Sequence, residues 1–155
     1  MAADPSQFIG AWRLLDWAVT LPDGTLTHPY GEHPIGHIIY SENGVMSATF
    51  MAERRRELGL SRADLTREVP KAVKALKAGE LDPLARAYFF AAITFTGYCG
   101  TYSVLPDRVV HHVETCLIPD WVGTDLARTY AFEEDRLILT AAENGVTDRL
   151  VWQKH

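Results

Sequence analysis

The sequence predicts an all-β fold: an up-and-down antiparallel barrel of about eight strands, closed on itself and interrupted by one helical insert. Two observations predict it. Turn signals recur at short intervals, at Pro22-Asp23-Gly24, Glu42-Asn43-Gly44, Pro106-Asp107, Glu134-Asp135 and Glu143-Asn144-Gly145. Between them lie β-rich runs, at about 10–20, 36–41, 44–51, 97–105, 108–117, 126–134, 136–142 and 148–154. Tight hairpins make sequence neighbours into sheet neighbours, which is a meander. About eight strands suffice to close a sheet around one small ligand.

The exception to this rhythm runs from about residue 53 to 95, between the third and fourth of these strands. Ser61 with Asp64 three residues on reads as a capping box. Pro70 is placed to start a second turn, with Val73 and Leu76 on one face. Asp82-Pro83 reads as an N-cap followed by proline at the first helical position. From Leu84 to Phe95 the chain is rich in alanine and aromatics and has almost no turn residues. Two placements are open for the insert: a lid or plug at one end of the barrel, or a helix packed on its outer wall.

The chain has 155 residues and is read as one domain over 1–155, with 1–7 as a loose tail. Its net charge of -5 argues against a general nucleic-acid or anionic-membrane binder. The one basic run, Arg54-Arg55-Arg56, is flanked by Glu53 and Glu57 and reads as a solvated loop. The N-terminus has neither the basic start nor the apolar stretch of a secretory signal, so the cytoplasm is the expected location. Cys99 and Cys116 are too few for a disulfide framework and are expected as free thiols.

Alternation along strands predicts an inside. About the Pro106-Asp107 hairpin, Tyr98, Gly100, Tyr102, Val104, Val109, His111 and Val113 share the more apolar face. Cys99, His112 and Cys116 share the other. The Asn43-Gly44 hairpin, taken as a two-residue turn, groups His37, Ile39, Met46, Ala48 and Phe50 inward, with Ile38 and Tyr40 outward. Two further hairpins agree on Arg128, Tyr130, Phe132, Leu137, Leu139, Ala141, Asp148, Leu150 and Trp152. An Arg128–Asp148 ion pair across the lumen is within reach. The first strand is ambiguous: either Trp12, Leu14 and Asp16 point in, or Leu15, Trp17 and Val19 do, and a bulge would allow both at different ends.

An ordered series of segments carries a family resemblance. Gly10-Ala11-Trp12 looks like the G-x-W start of lipocalins. With it come Trp12-Arg13-Leu14-Leu15, Gly36-His37-Ile38-Ile39-Tyr40, Gly44-Val45-Met46-Ser47-Ala48, Tyr98-Cys99-Gly100-Thr101-Tyr102, and the stretch from His111-His112-Val113-Glu114 to Trp121-Val122-Gly123-Thr124. Arg128, Leu137 with Leu139, and Leu150-Val151-Trp152 complete it. From about residue 8 onward the chain resembles the small bacterial and fungal lipocalin-like domain family. The resemblance implies a barrel with an interior pocket and no single activity; related barrels in microbial secondary metabolism are cyclases or isomerases. Asp16 stands where that pattern more usually has serine, and the insert is longer and more helical than the pattern.

No nucleotide-binding or nucleophile-elbow motif is present, and no cofactor is expected. No metal site is expected either. His111 and His112 are adjacent on a strand and point to opposite faces, and His28 and His33 lack ligand spacing. The expected lumen carries the chemistry. His111 is the acid–base candidate, Tyr102 its partner and Asp16 a second acid–base group. His37, Met46, Phe50, Tyr98, Arg128, Tyr130, Leu139, Asp148 and Trp152 are expected to line the binding site. The leading expectation is a cofactor-independent isomerase, cyclase or dehydratase acting on a small, largely apolar molecule of secondary metabolism. The alternative is a non-catalytic carrier or sensor, because a buried histidine held by tyrosine is also a common inert core element. The partner is then a small hydrophobic ligand, with no nucleic acid and no membrane; homodimerisation is left open.

Overall fold

A computed structural model describes residues 4–155. The chain divides into two compact units, one built from the residues up to Glu53 with Thr96–His155, the other from Arg54–Phe95.

The first unit is the barrel. Its strands are β1 (Gly10–Thr20), β2 (Leu26–Thr27), β3 (Ile35–Tyr40), β4 (Val45–Met51), β5 (Phe95–Val104), β6 (Arg108–Cys116), β7 (Asp125–Glu133), β8 (Arg136–Glu143) and β9 (Val146–Lys154). From β3 to β9 each strand pairs with the next in sequence, β1 pairs with β3, and β2 is a short ribbon on β1. Closure comes from antiparallel pairing of β1 with β9, from Trp12 opposite Lys154 to Thr20 opposite Thr147. Eight strands therefore close the barrel. The helical insert lies between β4 and β5 rather than between the third and fourth strands, because β2 adds one to the count.

Three hairpins have the expected two-residue register, with Val104 opposite Val109, Glu133 opposite Arg136 and Glu143 opposite Val146. Asn144 and Gly145 both have positive φ, as a type I′ turn requires. The β3–β4 hairpin differs. Tyr40 pairs with Met46 and the Ser41 amide donates to the Val45 carbonyl, so the loop is the three residues Glu42-Asn43-Gly44. Gly44 takes the left-handed conformation that such a loop needs (φ 82°). The odd loop reverses parity on β3: Ile38 and Tyr40 point in, His37 and Ile39 point out.

Two bulges reset the remaining faces. One between Leu14 and Asp16 puts both Leu14 and Trp17 opposite inward residues of β9, Trp152 and Leu150, while Asp16 falls opposite Val151 on the other face. The other, at Cys99/Gly100, sets Tyr98 opposite Cys116. Cys116 thus packs against the core rather than facing out with Cys99; both are free thiols. At that bulge a Cβ on Gly100 would lie 1.9 Å from the His112 carbonyl oxygen, so only glycine fits.

Phe8 closes the end of the barrel where β1 starts. Within the stretch expected as a loose tail, Pro5–Gln7 form a turn of 3-10 helix capped by Asp4; residues 1–3 lie outside the described residues. This turn delivers Phe8, fully buried, edge-on to Tyr40, Tyr130 and Phe132 at 5.5, 5.1 and 5.0 Å. The Trp12 indole N–H donates to the Phe8 carbonyl at 2.7 Å.

The second unit is helical. α1 (Arg62–Lys77) starts at Ser61, whose capping box with Asp64 forms as expected. Pro70 does not start a turn; it lies inside α1, where it removes one backbone donor without ending the helix. α2 (Pro83–Ile93) is capped by Asp82, which accepts from the Leu84 and Ala85 amides at 2.8 and 3.0 Å. No helix among the described residues is long and apolar enough to cross a membrane.

Candidate functional site

His111 is the centre of the barrel's polar interior. It is fully buried on β6, and each ring nitrogen meets a tyrosine. Tyr40 Oη lies 2.7 Å from Nε2 and Tyr98 Oη lies 2.9 Å from Nδ1. Tyr98 comes from the neighbouring β5, Tyr40 from β3. Tyr102, the expected partner, donates instead to the Ser41 carbonyl at 2.8 Å and stacks edge-on against Tyr40.

Burial sets the titration of this cluster. Desolvation, with Arg128 and His112 adding to it, lowers the His111 pKa to about 3. Burial pushes Tyr98 up to about 12, with Arg128 opposing, and holds Tyr40 well above its ordinary value. At neutral pH all three groups are uncharged. A neutral imidazole has one N–H and one bare nitrogen. One tyrosine must donate to the bare nitrogen; the other accepts from the N–H and keeps its own hydroxyl proton. Among the described residues neither hydroxyl has a second protein partner. The cluster therefore carries one donor more than it can use.

Two further donors belong to the same inner wall. The Trp152 indole Nε1 is buried with no hydrogen-bond partner. The Arg128 charge acts on His111, Tyr98 and Tyr40, yet among the described residues no carboxylate pairs with it. The expected Arg128–Asp148 ion pair does not form: Asp148 accepts from the Trp17 indole at 2.9 Å. Trp17 also packs edge-on against Tyr30 and Phe50, at 4.6 and 5.5 Å, and Phe50 against Trp152.

The other expected residues divide. Met46, Phe50, Leu139 and Trp152 are buried in the core, and Tyr130 packs against it. His37 points outward and stacks on His155 at 5.1 Å. Asp16 is outward too, 3.1 Å from His28 Nδ1, and does not join His111. Tyr30 was not among the expected residues, Tyr40 was expected on the outer face, and Trp17 was one of the two alternatives for the first strand, which the bulge brings in together with Leu14. The signal for Tyr40 was Ser41-Glu42-Asn43-Gly44, which suits a three-residue loop as well as a two-residue turn.

On the outer face, Ser103 Oγ lies 2.9 Å from His112 Nε2, and His112 Nδ1 lies 2.7 Å from Asp125. The order of contacts is that of a hydrolytic triad. Ser103 and Asp125 are exposed, and a relay open to water lacks the dry environment that gives such groups their power. Among the described residues no group of three His, Cys, Asp or Glu is arranged to hold a metal ion.

A family model described as a lipocalin-like domain matches residues 9–155. The barrel is also similar to the crystal structure of a lipocalin-like protein from Bacteroides uniformis, with 12% identity and a TM-score of 0.44, over 96% of this chain and 99% of that one. No curated protein matches the chain significantly.

Proposed function

This chain belongs to the lipocalin-like domain family, and from that premise we propose that its barrel binds one small, largely apolar molecule bearing an acceptor oxygen, as a carrier or sensor. The observation that carries this is the donor surplus of the inner wall, the Trp152 N–H and one tyrosine hydroxyl of the His111 cluster, beside the Arg128 charge that acts on that cluster. A buried donor without an acceptor costs about 1–3 kcal/mol, and a carbonyl or carboxylate oxygen would recover it. The aromatic and aliphatic wall supplies affinity and the donors supply orientation.

Acid–base isomerisation, cyclisation or dehydration is the reading this chemistry supports less. A general base works best with a pKa near the working pH. His111 at about 3 and Tyr98 at about 12 are far from it on either side. Both His111 nitrogens are also occupied by tyrosine.

The test is retention from a hydrophobic metabolite extract, followed by native mass spectrometry and a time course. The expected result is an oxygenated apolar species held without conversion, and held at least ten-fold more weakly by Arg128→Gln. Equal retention of plain hydrocarbons would sink the acceptor argument. Turnover that His111→Ala abolishes would replace the carrier with the enzyme.

A further inference from the structure

The helical unit has a binding site of its own. We propose that its cleft takes a single anionic amphiphile, a carboxylate or phosphate head on an apolar chain. This does not rest on the function proposed for the barrel.

The cleft has a volume of about 770 Å³ and is lined by residues from Arg54 to Thr94 alone. Four of them are arginines: Arg54, Arg55, Arg56 and Arg86. Only two lining residues are acidic. One, Asp82, already spends its carboxylate on capping α2, through the Leu84 and Ala85 amides. Among the described residues Arg54, Arg56 and Arg86 form no ion pair. Arg55 is anchored: it donates to the Ala91 carbonyl at 2.8 Å and lies over the Phe95 ring. Arg86 lies over Phe90 at 5.8 Å.

Apolar surface adjoins this charge. Leu81 is 82% exposed and Phe90 51% exposed, and both line the cleft. Large apolar side chains left in water beside a built cavity mark a binding surface. The flanking arginines define the polar end of what binds, since a guanidinium pairs with carboxylate or phosphate oxygens in a two-pronged geometry. The charge of the segment agrees. Residues 54–95 hold nine of the fifteen basic residues and five of the twenty acidic ones, so they are positive in a chain that is negative overall. A neutral apolar ligand would leave Arg54, Arg56 and Arg86 without an anionic partner, and an inorganic anion would leave Leu81 and Phe90 in water.

The test uses the full chain and monomeric dodecanoate, kept below its micelle concentration, followed by amide chemical shifts. The expected result is saturable shifts in 54–58 and 81–94. The affinity should fall at least ten-fold in the exposed-site variant Arg54→Gln/Arg56→Gln/Arg86→Gln and stay the same in Lys77→Gln, a charge change on α1 outside the cleft. Dodecyl phosphate should compete for the site; dodecanol and dodecyltrimethylammonium should not. Shifts confined to barrel residues would overturn the proposal, as would equal binding of dodecanol or binding only to phosphatidylglycerol vesicles. A variant that keeps the native amide pattern and the native affinity would overturn it as well.

Discussion

Tyr40 Oη and His111 Nε2 meet at 2.7 Å inside the barrel, joining strands that are 71 residues apart in the chain. Neither side chain reaches solvent, since Tyr40 is 1% and His111 0% exposed. Losing one partner in such a place exposes the other to the full desolvation penalty. Tyr40→Phe and Tyr98→Phe are each expected to destabilise the fold by about 1–3 kcal/mol. The double variant should depart from additivity, because both act on one imidazole. Urea denaturation of the four-member cycle measures this. Losses under about 0.5 kcal/mol from both single variants would contradict the clamp.

The same burial predicts an acid-sensitive fold. The folded-state pKa of His111 is about 3, below its ordinary 6.5. The unfolded chain therefore binds one more proton between those values. The contribution is fully present above pH 6.5 and is lost as pH falls toward 3. One group contributes a slope of at most about 1.4 kcal/mol per pH unit. His111→Gln keeps a donor and an acceptor but does not titrate. The difference in stability between wild type and this variant, followed from pH 7 to 5, should shrink as pH falls. A difference independent of pH would remove His111 as the source.

Gly100 is expected to tolerate no side chain. Its Cβ would meet the His112 carbonyl oxygen at 1.9 Å, a backbone atom that cannot rotate away. Gly100→Ala should cost about 3 kcal/mol or more, or prevent folding. Gly24 makes the control. It has space around a Cβ but a φ of 85°, so alanine there should cost only about 1 kcal/mol. Thermal melts of the two variants decide it, and similar losses would contradict the crowding argument.

Asp16 is the sequence candidate that the bulge turned outward. Its contact with His28 is half-exposed, and such pairs contribute under about 1 kcal/mol. Asp16→Ala should therefore leave both ligand retention and stability almost unchanged. A ten-fold loss of retention would return Asp16 to the binding site.

Local rules determined much of this protein. Turn residues marked the strand ends, and capping residues marked the starts of both helices. In the two-residue hairpins at Pro106-Asp107, Glu134-Asp135 and Asn144-Gly145, alternation alone put His111, Arg128, Leu139 and Trp152 on the inner wall, because a two-residue turn preserves parity. Where one residue was added, parity was lost. The third residue in the Glu42-Asn43-Gly44 loop exchanged His37 for Tyr40, and the bulges moved Asp16 out and Cys116 in. Only the tertiary structure decided these, since a bulge depends on which strand lies alongside. It also decided the chemistry of the centre. His111 meets Tyr40 only after the sheet curls round and closes through β1 and β9. Its pKa then follows from the depth of burial and the nearness of Arg128, neither of which is a property of neighbouring letters in the chain.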